Sequence, residues 1–161
     1  LFNEYPEGNI SAFISFKDYQ TRRDILNFFQ EYKLYPQEIF IGDQYEGGGM
    51  KLKKGEILRD ALKRLRLSHE KALRFLSKHS VDKNQRKRFK QKLKKLLKTN
   101  EVPIYAFEVE GPVIVLDEIK KRSKSIRLID PKIAQESRSI PITPDQKNSS
   151  FWMEKKVYHQ K

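Results

Sequence analysis

The sequence predicts an α+β domain with a split β-α-β (ferredoxin-like) sheet and a basic three-helix insertion between its two halves. Two β-α-β patterns, at about 10–41 and 102–130, are separated by a long stretch of helical apolar spacing. The 161 residues include ten Phe, seven Tyr and one Trp, which is enough for one domain with a real core. We therefore expect a single domain over 1–131, with the helical insertion at 55–98 and a C-terminal tail at 132–161.

The first β-α-β unit begins with apolar residues that alternate from 10 to 16, which is typical of a strand. Thr21 is a candidate helix N-cap, and Asp24 lies where the positive end of the helix dipole favours a carboxylate. An apolar helical face follows, and 38–41 predicts the second strand. The glycine-rich stretch 43–49 lacks the spacing of a phosphate-binding loop, and it predicts a flexible joint.

The insertion has helical spacing throughout, from about 56 to 98. Ser68 marks a candidate start for a second helix, and Asp82 is a candidate cap for a third. The third helix carries only a narrow apolar stripe among lysines and arginines, formed by Phe89, Leu93, Leu96 and Leu97.

The second unit repeats the order of the first. Residues 104–109 alternate as a strand, and Gly111-Pro112 predicts a turn into a helix, with Pro112 in its first turn. Residues 125–129 predict the last strand. The tail from 132 reads as a loop or an added strand that docks on the domain through its apolar residues, which are Phe151, Trp152, Val157 and Tyr158.

The positive charge is concentrated in the insertion. The chain has a formal net charge of +13, and residues 51–98 hold 19 Lys and Arg against four acidic residues. The remainder is close to neutral, so the insertion creates a local positive field. A solvated helix is the simpler interpretation, and contact with a polyanion is the functional one. The candidate polyanion-binding residues are Arg86, Lys87, Arg88, Lys90, Lys94 and Lys95.

No catalytic or metal-binding motif is present in the sequence. There is no cysteine, and the only histidines are His69, His79 and His159, which suit surface positions. Glu108 and Glu110 share a strand face, and a solvated strand end accounts for them better than a paired-carboxylate active site. We therefore expect no enzyme activity, no cofactor and no metal.

Two segments resemble a known family. "ISAFISFKDYQTRRDILNFF" is similar to the opening strand and helix, and "VPIYAFEVEGPVIVLDEIKKRSKSIRLIDP" to the end, of the sigma factor regulator C-terminal domain. This domain belongs to Gram-positive anti-sigma factors that negatively regulate extracytoplasmic-function sigma factors. The resemblance covers roughly 10–130, and the insertion is more basic than the family pattern requires.

The resemblance implies a non-enzymatic sensor or interaction domain on the extracytoplasmic face of the cell membrane. The parent protein would be anchored by one helix, and it would bind its sigma factor through a segment outside this chain; the start at Leu1 fits an excised piece of such a parent. The basic face would then meet an anionic envelope polymer or lipid heads. The alternative is a nucleic-acid-binding module that places the helices of 51–98 on the phosphate backbone. The sequence leaves the oligomeric state open.

Overall fold

The structure is a computed structural model that describes residues 8–43, 47–131 and 143–144. It is a mixed α+β fold with one five-stranded antiparallel sheet and four helices. The elements in chain order are β1 (Asn9–Gln20), α1 (Arg22–Tyr32), β2 (Tyr35–Gly42), β3 (Gly47–Lys51), α2 (Leu58–His79), α3 (Lys83–Thr99), β4 (Ile104–Pro112), α4 (Val113–Arg122) and β5 (Ile126–Pro131).

The sheet brings the two predicted units together. Its strand order is β3-β2-β4-β1-β5, so β4 lies between β2 and β1, and β1 lies between β4 and β5. Ile14 is opposite Phe107 in β4 and opposite Ile129 in β5, while Ile39 of β2 is opposite the same Phe107. The expectation that 10–41 and 102–130 share one sheet is confirmed.

The main core lies between one face of the sheet and the four helices. Strand residues such as Ile14, Ile39 and Phe107 are fully buried there, and each helix contributes apolar residues to the same cluster. Aromatic rings meet edge to face in its centre, as Phe29 does with Phe107 at a centroid distance of 4.8 Å. Ring packing of this kind fixes α1 on the sheet.

The opposite face of the sheet carries a smaller buried cluster. Phe40, Tyr105 and Ala106 are buried on it, and Phe13 packs against them. Burial raises the pKa of the Tyr105 phenol to about 12. The prediction that the tail docks falls mostly outside the described residues, but Thr143 and Pro144 are buried, and Arg127 Nη1 donates to the carbonyl oxygen of Thr143 at 3.1 Å.

The predicted start of α1 is confirmed by its cap. The Thr21 hydroxyl oxygen accepts from the Asp24 backbone N–H at 3.2 Å, and the Asp24 carboxylate accepts from the Thr21 N–H. This reciprocal arrangement satisfies two of the N–H groups that a helix start leaves without partners. At α4 the prediction is shifted by one residue, because Pro112 ends β4 and precedes the first helical residue, Val113.

Residues 55–98 contain two helices and not the predicted three. Helix α2 runs without a break from Leu58 to His79, so Ser68 lies inside it and does not begin a helix. Leu65, Leu73 and Leu76 continue one apolar face past Ser68, and no Gly or Pro interrupts the helix. The predicted cap of the last helix is confirmed, since Asp82 Oδ1 accepts from the Asn84 N–H at 2.8 Å.

The glycine-rich stretch is not a simple joint, because residues 47–51 form β3 and pair with β2. Gly49 lies opposite Phe40, and a side chain there would collide with the carboxylate of Glu38. Arg64 of α2 contacts the C-terminal end of β3, where its Nη2 donates to the carbonyl oxygen of Lys51 at 2.9 Å. A Cβ atom on Gly47 would lie only 3.0 Å from the backbone oxygen of Ile41, so glycine at that position permits close pairing of β3 with β2.

Candidate functional site

Helix α3 is attached to the domain by a narrow apolar stripe. Phe89 and Leu96 are buried against the core, and Leu93 is half-buried beside them. Asn100 ends the helix in the left-handed conformation (φ 58°), and its N–H donates to the Leu96 carbonyl at 2.7 Å. The rest of the helix circumference is left for charged side chains.

Five lysines lie along the side of α3 that faces solvent. Their spacing of four, three, four and four residues keeps them on one face of a helix. All five are exposed, and among the described residues none of them forms an ion pair. They extend over about 22 Å at 1.5 Å per residue. We call this surface the α3 lysine face; it consists of Lys83, Lys87, Lys90, Lys94 and Lys98.

The lysine face contains three of the six predicted residues, Lys87, Lys90 and Lys94. Lys83 and Lys98 were not predicted, although the same spacing could have identified them. No acidic residue occurs between 83 and 99, so the positive charge of this helix is not offset within it.

Arg86 binds backbone carbonyls in the turn between α2 and α3. Its Nη1 donates to the Ser80 carbonyl at 2.8 Å and to the Val81 carbonyl at 3.3 Å. These carbonyls follow the end of α2, where a cation is favoured by the helix dipole. Arg86 therefore helps to hold the turn between α2 and α3 and lies apart from the lysine face.

Arg88 and Lys95 also lie off the lysine face. Arg88 is half-buried, with its guanidinium carbon 5.7 Å from the centre of the Phe89 ring. Lys95 is exposed, and it lines a cleft between α3 and the sheet. The structure thus divides the six predicted residues among four different surroundings.

The cleft has a volume of about 890 Å³ and opens between the β2–β3 hairpin, α2, α3 and residues 101–103. Its surface is largely apolar. Leucines of α2 and α3 form one side, and the apolar side chains of the hairpin and of the segment before β4 form the other. The apolar lining residues are Ile41, Met50, Leu65, Ala72, Leu73, Leu76, Phe89, Leu96, Val102 and Pro103.

Several polar groups that line the cleft form ion pairs or hydrogen bonds with other residues of the chain. Lys92 Nζ lies 2.7 Å from Asp43 Oδ2, so this pair joins α3 to the end of β2. Glu101 Oε2 accepts from the backbone N–H of Arg22 at 3.0 Å. His69 is half-buried, and burial lowers the pKa of its imidazole, so it is neutral at pH 7. A surface position, as predicted for the histidines, is wrong for His69.

Glu108 and Glu110 have different surroundings. Glu108 is only 8% exposed and lies opposite Glu38 of β2 and Phe13 of β1. Glu110 is exposed and accepts from Gln37 Nε2 at 2.8 Å. A solvated strand end therefore describes Glu110, and it is wrong for Glu108. Residue alternation alone could not separate the two, because both point to the same face of β4.

Across the described ranges, no group of three His, Asp or Glu residues is placed to hold a metal ion. In the same ranges no helix has both the length and the apolar character needed to cross a bilayer. Comparison of the chain with family models, with curated proteins and with solved structures finds no match.

Proposed function

We propose that this chain is a non-enzymatic interaction domain that binds a polyanion through the α3 lysine face. The observation that supports this is a row of five exposed lysines on a helix with no acidic residue. Neutralising successive negative charges releases their counterions, and this release drives binding without any need for sequence readout. The narrow apolar stripe opposite the row holds the helix in place, so that the lysines are presented together.

We also propose that the sheet is a split β-α-β, ferredoxin-like arrangement, with β3, α2 and α3 inserted between its halves. What supports this is the strand order β2-β4-β1-β5, in which the strands of one β-α-β unit alternate with those of the other. On this proposal the lysine face belongs to an insertion and not to the scaffold.

For the biological setting, we propose the extracytoplasmic part of a membrane-anchored anti-sigma factor. The support is that the two segments with the family resemblance are neighbours, since β1 pairs with both β4 and β5. The polyanion would then be an anionic envelope polymer or a layer of lipid heads, and the sigma factor would bind elsewhere in the parent. An envelope signal that changes this contact would be transmitted to the sigma factor.

The alternative proposal is a nucleic-acid-binding module. It is favoured by the length and regularity of the lysine face, which suits the closely spaced charges of a phosphate backbone. For five contacts, the logarithm of the binding constant would fall with the logarithm of salt concentration with a slope of about −3.5 for single strands and about −4.5 for a duplex.

The binding experiment compares three ligands at low salt: a poly(glycerol phosphate) wall polymer, single-stranded DNA and duplex DNA. The test variant is Lys87→Glu/Lys90→Glu/Lys94→Glu, in which all three changes lie on the lysine face. The matched control is Lys17→Glu/Arg23→Glu/Lys124→Glu, which changes the net charge equally at exposed positions of β1, α1 and the turn before β5. We expect the test variant to lose binding and the control to keep most of it.

Three results decide between the proposals. Binding of the wall polymer with little affinity for DNA supports the envelope setting, and the reverse supports the nucleic-acid module. Equal losses in the two triple variants would contradict a defined binding face, because then only the net charge matters.

The anti-sigma proposal is tested separately in the source organism. Deleting the coding gene should raise the transcripts of a sigma factor and of the genes that it controls, and restoring the gene should reverse the rise. Unchanged transcripts under conditions in which the gene is expressed would contradict this proposal and leave the binding face untouched.

A further inference from the structure

The apolar cleft between the β2–β3 hairpin and the two inserted helices is not used by the proposed function. None of the residues of the α3 lysine face lines it. Its volume of about 890 Å³ falls within the roughly 300–1,000 Å³ that is usual for small-ligand sites. Its lining is largely apolar with a few polar groups, which is the usual composition of such sites.

One side of the cleft is bare backbone, because β3 begins with three glycines. Gly48 lies opposite Ile41, so a side chain at Gly48 would point to the same face of the sheet as Ile41, which lines the cleft. A Cβ atom placed on Gly48 meets no atom within 4 Å. The absence of a side chain at this position therefore enlarges the cleft, and the glycine is not required by contact with a neighbouring atom.

Among the charged residues that line the cleft, Lys95 is the one placed to pair with a ligand. The Asp43 carboxylate is paired with Lys92, and the Glu101 carboxylate accepts the Arg22 N–H at the start of α1. Lys95 also lines the cleft, and within the described part of the chain no carboxylate forms an ion pair with it. A single cation beside a long apolar surface matches an apolar chain with one negative charge at its end.

We propose that this cleft binds a free single-chain amphiphile with an anionic head, of the fatty acid class. The alkyl chain lies along the leucines of α2 and α3 and the open strand at Gly48, and the carboxylate pairs with Lys95. The neutral imidazole of His69 can hydrogen-bond to a polar atom without the cost of burying a second charge. This site is independent of the α3 lysine face, so either one can fail without the other.

The first part of the test compares three head groups on one alkyl chain by titration calorimetry: dodecanoate, dodecanol and dodecyltrimethylammonium, each below its micelle concentration. We expect one dodecanoate per chain, weaker binding of dodecanol and the weakest binding of the cation. No binding of dodecanoate up to about 1 mM, or equal binding of the three compounds, would overturn the proposal. Self-association of the free chain with no heat from dodecanoate would assign the cleft to a second copy and would also overturn it.

The second part uses variants of the cleft. Gly48→Leu fills the open strand position and should weaken dodecanoate binding at least about tenfold, since extra volume in a packed site excludes the ligand. Ala72→Leu, an exposed helix position on the opposite side of the cleft, gives a second way of filling it if Gly48→Leu does not fold. Unchanged affinity in either folded variant would show that dodecanoate binds elsewhere.

The head-group contact is tested by Lys95→Gln, with Lys124→Gln as the control for an equal charge change away from the cleft. Lys95→Gln should weaken dodecanoate binding roughly three- to tenfold and leave dodecanol binding unchanged, because only the ion pair is removed. Lys124→Gln should change neither. Equal effects of the two variants would contradict the assigned role of Lys95.

Discussion

At the scale of single residues, Glu56 shows how one carboxylate joins the β2–β3 hairpin to α2. Its oxygens accept from Arg64 Nε at 2.9 Å and Nη2 at 2.8 Å, and one of them also accepts the Lys53 N–H at 2.8 Å. These hydrogen bonds, with Arg64 first, lower the pKa of Glu56 from 4.5 to about 2. Arg64 in turn binds the Lys51 carbonyl, so the contact holds the end of β3 on the helix.

The stability of the protein should therefore depend on the charge of Glu56. Its pKa is lower in the folded state, so the stabilisation is complete above about pH 5 and is lost as the pH falls through 4.5 towards 2. Glu56→Gln should reduce the free energy of unfolding by about 1 kcal/mol at pH 7. The difference from the unmodified protein should disappear near pH 2, as measured by urea denaturation across this range.

The control is Asp117→Asn, which removes an exposed ion pair with Lys121 and should reduce the free energy of unfolding by less than about 0.5 kcal/mol. A loss for Glu56→Gln that does not change with pH would contradict this account.

At the scale of elements, α3 illustrates how a very polar helix is kept on the domain. Leu96 is 2% exposed and Leu97 is 48% exposed, although they are adjacent and chemically identical. Leu96→Ala should lower the free energy of unfolding by about 2–4 kcal/mol, because it leaves a cavity in the core. Leu97→Ala is the matched control and should cost less than about 1 kcal/mol. The midpoint of denaturant unfolding measures both, and similar losses would mean that α3 does not pack as described.

The element predictions succeeded where local chemistry determines the structure. Thr21 with Asp24, and Asp82, identify the starts of α1 and α3 because side-chain caps are read from a few residues. Ser68 misled the prediction, since a serine also fits inside a long helix when the apolar face continues around it. The strand at 47–51 was missed because a glycine run signals a loop and carries no alternating side chains, although its partner β2 is the preceding element of the chain.

At the scale of the whole molecule, the concentration of positive charge should affect stability and binding in opposite directions. Lysines on α3 repel one another, and salt screens that repulsion. We expect the melting temperature at pH 7 to rise between low and physiological salt while the affinity for a polyanion falls. The variant Lys87→Gln/Lys90→Gln/Lys94→Gln should reduce the salt dependence of the melting temperature and the salt dependence of polyanion affinity. A melting temperature that falls with added salt would show that ion pairs outweigh the repulsion.

The location of the candidate site could be predicted from charge composition, but its arrangement could not. The count of lysines and arginines in 51–98 places most of the basic side chains on and around α2 and α3. Which cations share that surface depends on how α3 rotates onto the core, and packing turns Arg86 towards the end of α2 and Lys95 towards the cleft. The cleft itself was not predicted, because it is formed by the hairpin and the helices together.

The position of β4 between β2 and β1 affects the order in which the chain can fold during synthesis. Both neighbours of β4, β1 and β2, precede it in the sequence, and β3, α2 and α3 lie between β2 and β4. During synthesis, β1 and β2 leave the ribosome with no strand between them, and their facing edges stay unpaired until β4 arrives. A nascent chain that stalls within α3 would thus leave both edges of β1 and one edge of β2 unpaired, and we expect it to aggregate more readily than the complete chain.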